Sequence, residues 1–92
     1  MAFNKLGFVT VHQMGTIAGA AGETRNLHTY LTNDDTAAVE TASYFDFMAY
    51  RVKVGDIIMC SLDNDGAPML RNYIVTAVSA AGVVTIAAQN VV

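Results

Sequence analysis

Ionic side chains are scarce in this chain: Lys, Arg, Asp and Glu make up 14% of 92 residues, against about 25% in an ordinary soluble domain. Trp is missing altogether, and Pro and Cys occur once each. A lone Cys60 excludes an intrachain disulfide and a cysteine-based zinc site. With Ile58, Met59 and Leu62 around it, Cys60 reads as a buried thiol, which suits assembly in a reducing cytoplasm. The basic residues, Lys5, Arg25, Arg51, Lys53 and Arg71, are scattered, and the net charge is -3. Phosphate binding rests on clustered Lys and Arg that release counterions, so a nucleic-acid partner is not expected.

What the sequence does have is apolar surface. Hydrophobic residues reach 53% with Gly uncounted, and a small domain has the most surface per residue to cover. Ala, which tolerates exposure, absorbs part of this excess. The remainder is more than one small core can hide, which predicts that some of it faces another protein. Residues 72–92 carry no charge and are long enough for a membrane helix. Thr76, Ser79, Thr85 and Gln89, the β-branched Val and Ile, and the break at Ala81-Gly82 predict a β-hairpin there instead, with no membrane partner. Phe3–Val11 is too mixed for a signal peptide, so export by that route is not expected.

One domain is expected over residues 23–92, preceded by an N-terminal arm and Gly/Ala-rich loop over residues 1–22. Phe8–Val11 is a β-prone run, readable as a first strand or as an arm that pairs with a neighbouring subunit. Gly15–Gly22 is too poor in large side chains for a core element. From Asn26 to Thr32, Leu27, Thr29 and Leu31 alternate with His28, Tyr30 and Thr32, as in a half-buried strand. Asn33-Asp34-Asp35 then supplies N-cap residues, and Asp35 and Glu40 place negative charge near the start of a helix that puts Ala37, Val39 and Ala42 inward. Tyr44, Phe45, Phe47, Met48 and Tyr50 form the heaviest aromatic cluster, a core anchor. Gly55-Asp56 delivers the chain into a buried strand at Ile57-Ile58-Met59-Cys60. A second strand from Met69 to Ser79 and a third from Val83 to Ala88 complete an antiparallel meander. Tyr73, Val75 and Ala77 share one of its faces, and Ile74, Thr76 and Val78 the other. Neither face is strongly polar, whereas a sheet with one side in water alternates charged and apolar residues. The predicted class is therefore mainly β, an antiparallel β-barrel or β-sandwich, with one short α-helix near residues 35–44 and an extended N-terminal arm.

No constellation for chemistry emerges. Asp63-Asn64-Asp65-Gly66 resembles the opening of a calcium loop, but Asn72 stands where the closing acidic ligand belongs, which leaves a hairpin turn. His12 and His28 have no metal-site spacing to each other, to acids or to Cys60. Ser43, Ser61 and Ser79 lie in no G-x-S-x-G elbow, and Gly15–Gly22 lacks the Lys-Ser/Thr ending of a phosphate loop. No catalytic residue, cofactor or metal is expected.

The pattern Tyr30-x-Thr32-x-Asp34, Val39, Tyr44-Phe45, Lys53-Val54-Gly55-Asp56-x-Ile58, Tyr73-x-Val75-Thr76 and Gly82-Val83-Val84-Thr85 resembles a group of small virion structural proteins of tailed phages and prophages. It covers about two thirds of the chain. The resemblance implies a head decoration, or cement, protein: commonly a homotrimer seated on the major capsid protein lattice at the capsid exterior. The N-terminal residues lie outside this pattern. Their composition alone nominates Phe3, Leu6, Phe8, Val9, Val11, His12 and Met14 as contacts to neighbouring subunits. A receptor- or carbohydrate-binding module of a tail tip or fibre is the alternative; a hydrolytic or metal-dependent enzyme would need a cluster that the sequence does not show.

Overall fold

A computed structural model describes residues 3–89. Its strands are β1 (Phe8–Gly15), β2 (Arg25–Leu31), β3 (Ile57–Leu62), β4 (Met69–Val78) and β5 (Val84–Ala88), and they lie side by side in that order in a single sheet. The mainly β expectation holds. The all-antiparallel one does not, because β2 and β3 run parallel while every other neighbouring pair is antiparallel. Parallel neighbours cannot be joined by a tight turn, so residues 32–56 leave the sheet, cross one face and return. The sheet runs from edge β1 to edge β5 and does not close into a barrel.

Residues 8–15 are no extended arm. They pair with β2 from Phe8 opposite Tyr30 to Gly15 opposite Arg25, with register shifts between Thr10 and His12 and between Gln13 and Gly15. Such bulges twist an edge strand and disfavour further pairing along it. The loop expected at Gly15–Gly22 is present, with Gly15, Gly19 and Gly22 all at positive φ.

The crossover contains α1 (Thr36–Val39) and a 3-10 turn at Asp46–Met48. Asp35 caps α1 as expected, its carboxylate accepting from the Ala38 amide at 2.9 Å. The helix stops at Val39, well short of Tyr44, and buries Ala38 and Val39 while Ala37 and Ala42 are exposed. So short a helix has no intrinsic stability; tertiary packing decides both its length and its inward face.

The crossover and the sheet enclose the core. Val39, Phe45, Met48 and Val52 descend from the crossover onto Phe8, Tyr30, Ile58, Cys60, Leu62, Tyr73, Val75 and Val84 of the strands. Phe45 meets Tyr30 edge-on, with centroids 5.4 Å apart at 73°, and Phe3 stacks on Tyr30 at 4.9 Å. The aromatic cluster is divided: Tyr44, Phe45 and Met48 pack inward, whereas Phe47 and Tyr50 are exposed.

The β3–β4–β5 meander matches expectation, with one correction. A bulge between Val75 and Ala77 shifts the phase of β4. Beyond it Val78 turns to the core and Ala77 points away, the reverse of strict alternation. Gly82, at φ 90°, makes the turn into β5.

Candidate interaction face

The two faces of the sheet differ sharply. One carries the core; the other carries no chain segment that packs over it among the described residues. Strand register places three rows across this open face. Leu27, Ile57, Ile74 and Ala87 form the first, Thr29, Met59 and Asn72 the second with Val9 at its β1 end, and Leu31, Ser61 and Leu70 the third. None of these positions holds Asp, Glu, Lys or Arg. Arg25 is in phase at the start of β2, but its guanidinium turns to the carbonyls of Gly22 and Thr24. Arg71 belongs to the opposite face, where it approaches Glu40 at 3.9 Å.

Most large apolar side chains on this face are open to solvent, from 40% exposure at Met59 to 68% at Leu70, with Val9, Leu31 and Ile74 between, while Leu27 and Ile57 are half-buried. Two shallow hollows mark it. A hollow of 560 Å³ lies over Ile57, Ile74, Thr76 and Ala87, and another of 210 Å³ over Thr29, Leu31, Met59 and Leu70. Contiguous uncharged surface on this scale marks contact sites in soluble proteins. One polar atom there is unsatisfied: Asn72 Nδ2 donates to Gln89 Oε1 at 2.8 Å, but Asn72 Oδ1 is buried with no hydrogen-bond partner among the described residues.

The N-terminal candidates separate into two groups. Phe8 is a core residue, and Phe3 is half-buried against Tyr30, Tyr44 and Phe45. Both rings are engaged inside this chain because Phe8 falls on the covered side of β1. Leu6, on a 3-10 turn at Lys5–Gly7, and Val9, Val11, His12 and Met14 on β1 are exposed. Of these, Val9 and His12 join the open face, His12 lying opposite Leu27. The central residues of the face, Met59, Leu70 and Ile74, are not among the sequence candidates. Their signal lies in the missing charges of β3 and β4, but period-two alternation does not say which side a crossover covers.

Buried chemistry exists beneath the opposite face, and it is bonded to itself. Asp56 and His28 are fully buried, with His28 Nε2 2.8 Å from Asp56 Oδ2. The carboxylate also accepts from the amides of Asn26 and Lys53, each at 3.0 Å. Thr10 Oγ1 lies 2.9 Å from His28 Nδ1 and accepts from Arg51 Nη2 at 3.0 Å. Hydroxyl, imidazole and carboxylate follow one another as in a hydrolytic triad. Arg51 occupies the hydroxyl, however, and neither hollow on the open face touches these residues. What the geometry does is clamp β1, β2 and the end of the crossover together. A second polar chain runs from the Asn4 amide to Tyr30 Oη (2.7 Å), Tyr44 Oη (2.7 Å) and Asp34 Oδ2 (2.6 Å). Burial, and then the hydrogen bond to Asp34, push the Tyr44 phenol above its usual range. Burial pushes the Cys60 thiol up to about 12. The Asp63-Asn64-Asp65-Gly66 segment acts as a turn: Asn64 Nδ2 donates to Thr32 O at 2.7 Å, and Ala67 N donates to Asp63 Oδ2. Among the described residues, no three His, Cys, Asp or Glu side chains converge as a metal site, and no helix is long and apolar enough to cross a membrane.

The chain matches no protein-family model, no curated protein and no solved structure.

Proposed function

We propose that this protein is a docking subunit without chemistry of its own: a head decoration protein of a tailed phage or prophage, bound as a homo-oligomer to the major capsid protein at the outside of the capsid. The observation that carries the reading is the open sheet face, three rows deep, with no ionic side chain. Left in water, such a face is unfavourable by about 25 cal/mol for each Å² of apolar area; covered by protein, the same area becomes binding energy. The second layer of the expected sandwich is then supplied by a partner. Repetition over a symmetric shell turns a modest contact into resistance against internal pressure, which is what a cement protein must provide. The phage assignment rests on the resemblance of the sequence pattern.

Cryo-electron microscopy of purified heads tests this directly, with density for the chain expected on the outer surface of the shell. Heads lacking the protein are expected to fail sooner under heat or chelation, and equal endurance refutes the role. A carbohydrate-binding role has one observation in its favour, the exposed Phe47 and Tyr50 on the crossover. It predicts retention of the chain on host surface glycans and loss of that retention in Tyr50→Ala.

A further inference from the structure

We propose that the open sheet face is covered by the same face of a second copy of this chain, the two related by a two-fold axis running along β3. The inference rests on the reading that this face is a protein contact of a homo-oligomer; it gives the face to the second copy and leaves attachment to the shell to the outer surfaces of the pair.

The register of the sheet carries it. In the middle row Met59 sits between Thr29 and Asn72. A two-fold axis along β3 lays β3 over its own copy and β2 over the partner's β4. Met59 then meets Met59 of the partner, and Leu27 faces Ile74 of the partner. Leu31 faces Leu70 of the partner, while Ser61 between them meets its own copy and His12 at the end of the first row faces Ala87 of the partner. In the middle row Thr29 faces Asn72 of the partner, and the symmetry makes that contact twice. Asn72 Oδ1 is the one buried side-chain acceptor without a donor among the described residues, and a threonine hydroxyl is a donor. Buried acceptors in native proteins are almost always paired; this oxygen is already shielded by its own chain, so in the pair the Asn72 amide turns outward to accept from the Thr29 hydroxyl. Met59, its register neighbour, is flexible enough to yield the space.

Charge and area agree. An isologous contact sets each side chain near its own kind or its symmetry mate, so any ionic group at the centre would meet like charge; these rows contain none. Five strands about 4.8 Å apart, each contributing about five residues at about 3.3 Å, give a flat footprint of roughly 400 Å². Corrugated side chains raise the accessible area above that, towards the roughly 800 Å² per partner of a standard stable interface. Two sheets stacked face to face at about 10 Å form a β-sandwich. The fold class expected from the sequence is then completed between two chains.

Sedimentation equilibrium of the full chain across micromolar concentrations tests the pairing, with a species of twice 9.8 kDa expected. Met59→Glu sets two carboxylates against each other on the axis and is expected to weaken association at least tenfold. Leu31→Lys and Leu70→Glu are each expected to weaken it as well. Combining them in one chain is expected to restore it, because the introduced ammonium of each copy then faces the introduced carboxylate of the other. Circular dichroism confirms that each variant folds. Should Met59→Glu misfold, the Leu31/Leu70 series carries the test alone. A wild-type monomer at 100 μM (about a hundredfold above a 1 μM dimer constant), a trimer, or a dimer indifferent to all these substitutions overturns the pairing. Binding to heads that lack the protein separates the two readings. A monomer that still coats heads through this face sinks only the pairing, and a dimer that never coats heads sinks only the decoration role.

Discussion

Replacing Asp56 by Ala is the severest test of how this fold is held. The carboxylate is fully buried and accepts three hydrogen bonds, from the Asn26 amide, the Lys53 amide and His28 Nε2. Alanine leaves all three donors without an acceptor inside the protein. A buried unpaired donor costs about 1–3 kcal/mol, and water entering the vacated volume offsets part of the total. The expected loss is therefore about 3–5 kcal/mol, the same order as removing one partner of a buried ion pair. A chain of this size holds about 5–14 kcal/mol in all, so the variant stands at the edge of folding. Urea denaturation followed by far-ultraviolet circular dichroism or tyrosine fluorescence reads the change; the chain has no Trp to dominate the signal. At a slope of about 1–2 kcal/mol per molar, the midpoint falls by at least about 1.5 M. His28→Ala and the double variant complete a cycle, in which a coupling of about 1 kcal/mol or more is expected between directly bonded residues. A loss below about 1 kcal/mol for Asp56→Ala, or coupling near zero, refutes the clamp.

Other contacts carry their own expected outcomes. Gly7→Ala places a methyl group against the Leu31 carbonyl, which is backbone and cannot swing away; a destabilisation of about 1–3 kcal/mol is expected in the same urea assay. Asp35→Ala removes the cap on α1 and is expected to cost about 1 kcal/mol. Cys60 is buried and its thiol is raised to about 12, so a thiol reagent at pH 8 is expected to modify it only as fast as the protein opens. The same shift fixes a sign with pH. A folded pKa above the unfolded 9.0 means that the unfolded chain releases its proton first. Stability from this group is whole below about pH 9 and falls towards pH 12 with a slope approaching about 1.4 kcal/mol per pH unit. Tyr73, raised by burial and by its bond to Glu40, adds to the fall at higher pH. Cys60→Ala is expected to remove the earlier part of that slope in thermal melts between pH 8 and 11.

Local chemistry is legible in the sequence. The Asp35 cap, the turns at Gly55-Asp56, Asp63–Gly66 and Gly82, and the strands that begin at Ile57, Met69 and Val84 depend on residues a few positions apart, whose preferences act through short-range sterics and hydrogen bonds. The surplus of apolar residues over charged ones is equally plain, and with it the expectation of a protein partner. Tertiary structure decided the rest. Whether β2 pairs parallel with β3, which side of the sheet residues 32–56 cross, and hence which half of each alternating strand is core, are long-range choices that a period of two cannot express. Phe8, a contact residue by composition, lies in the core for that reason, while Leu70 and Met59 lie in the open for the same one. The His28–Asp56 bond joins residues 28 positions apart, and only folding brings two such groups within reach. Composition thus determined that this chain has a greasy surface to cover; the path of one crossover determined where that surface is.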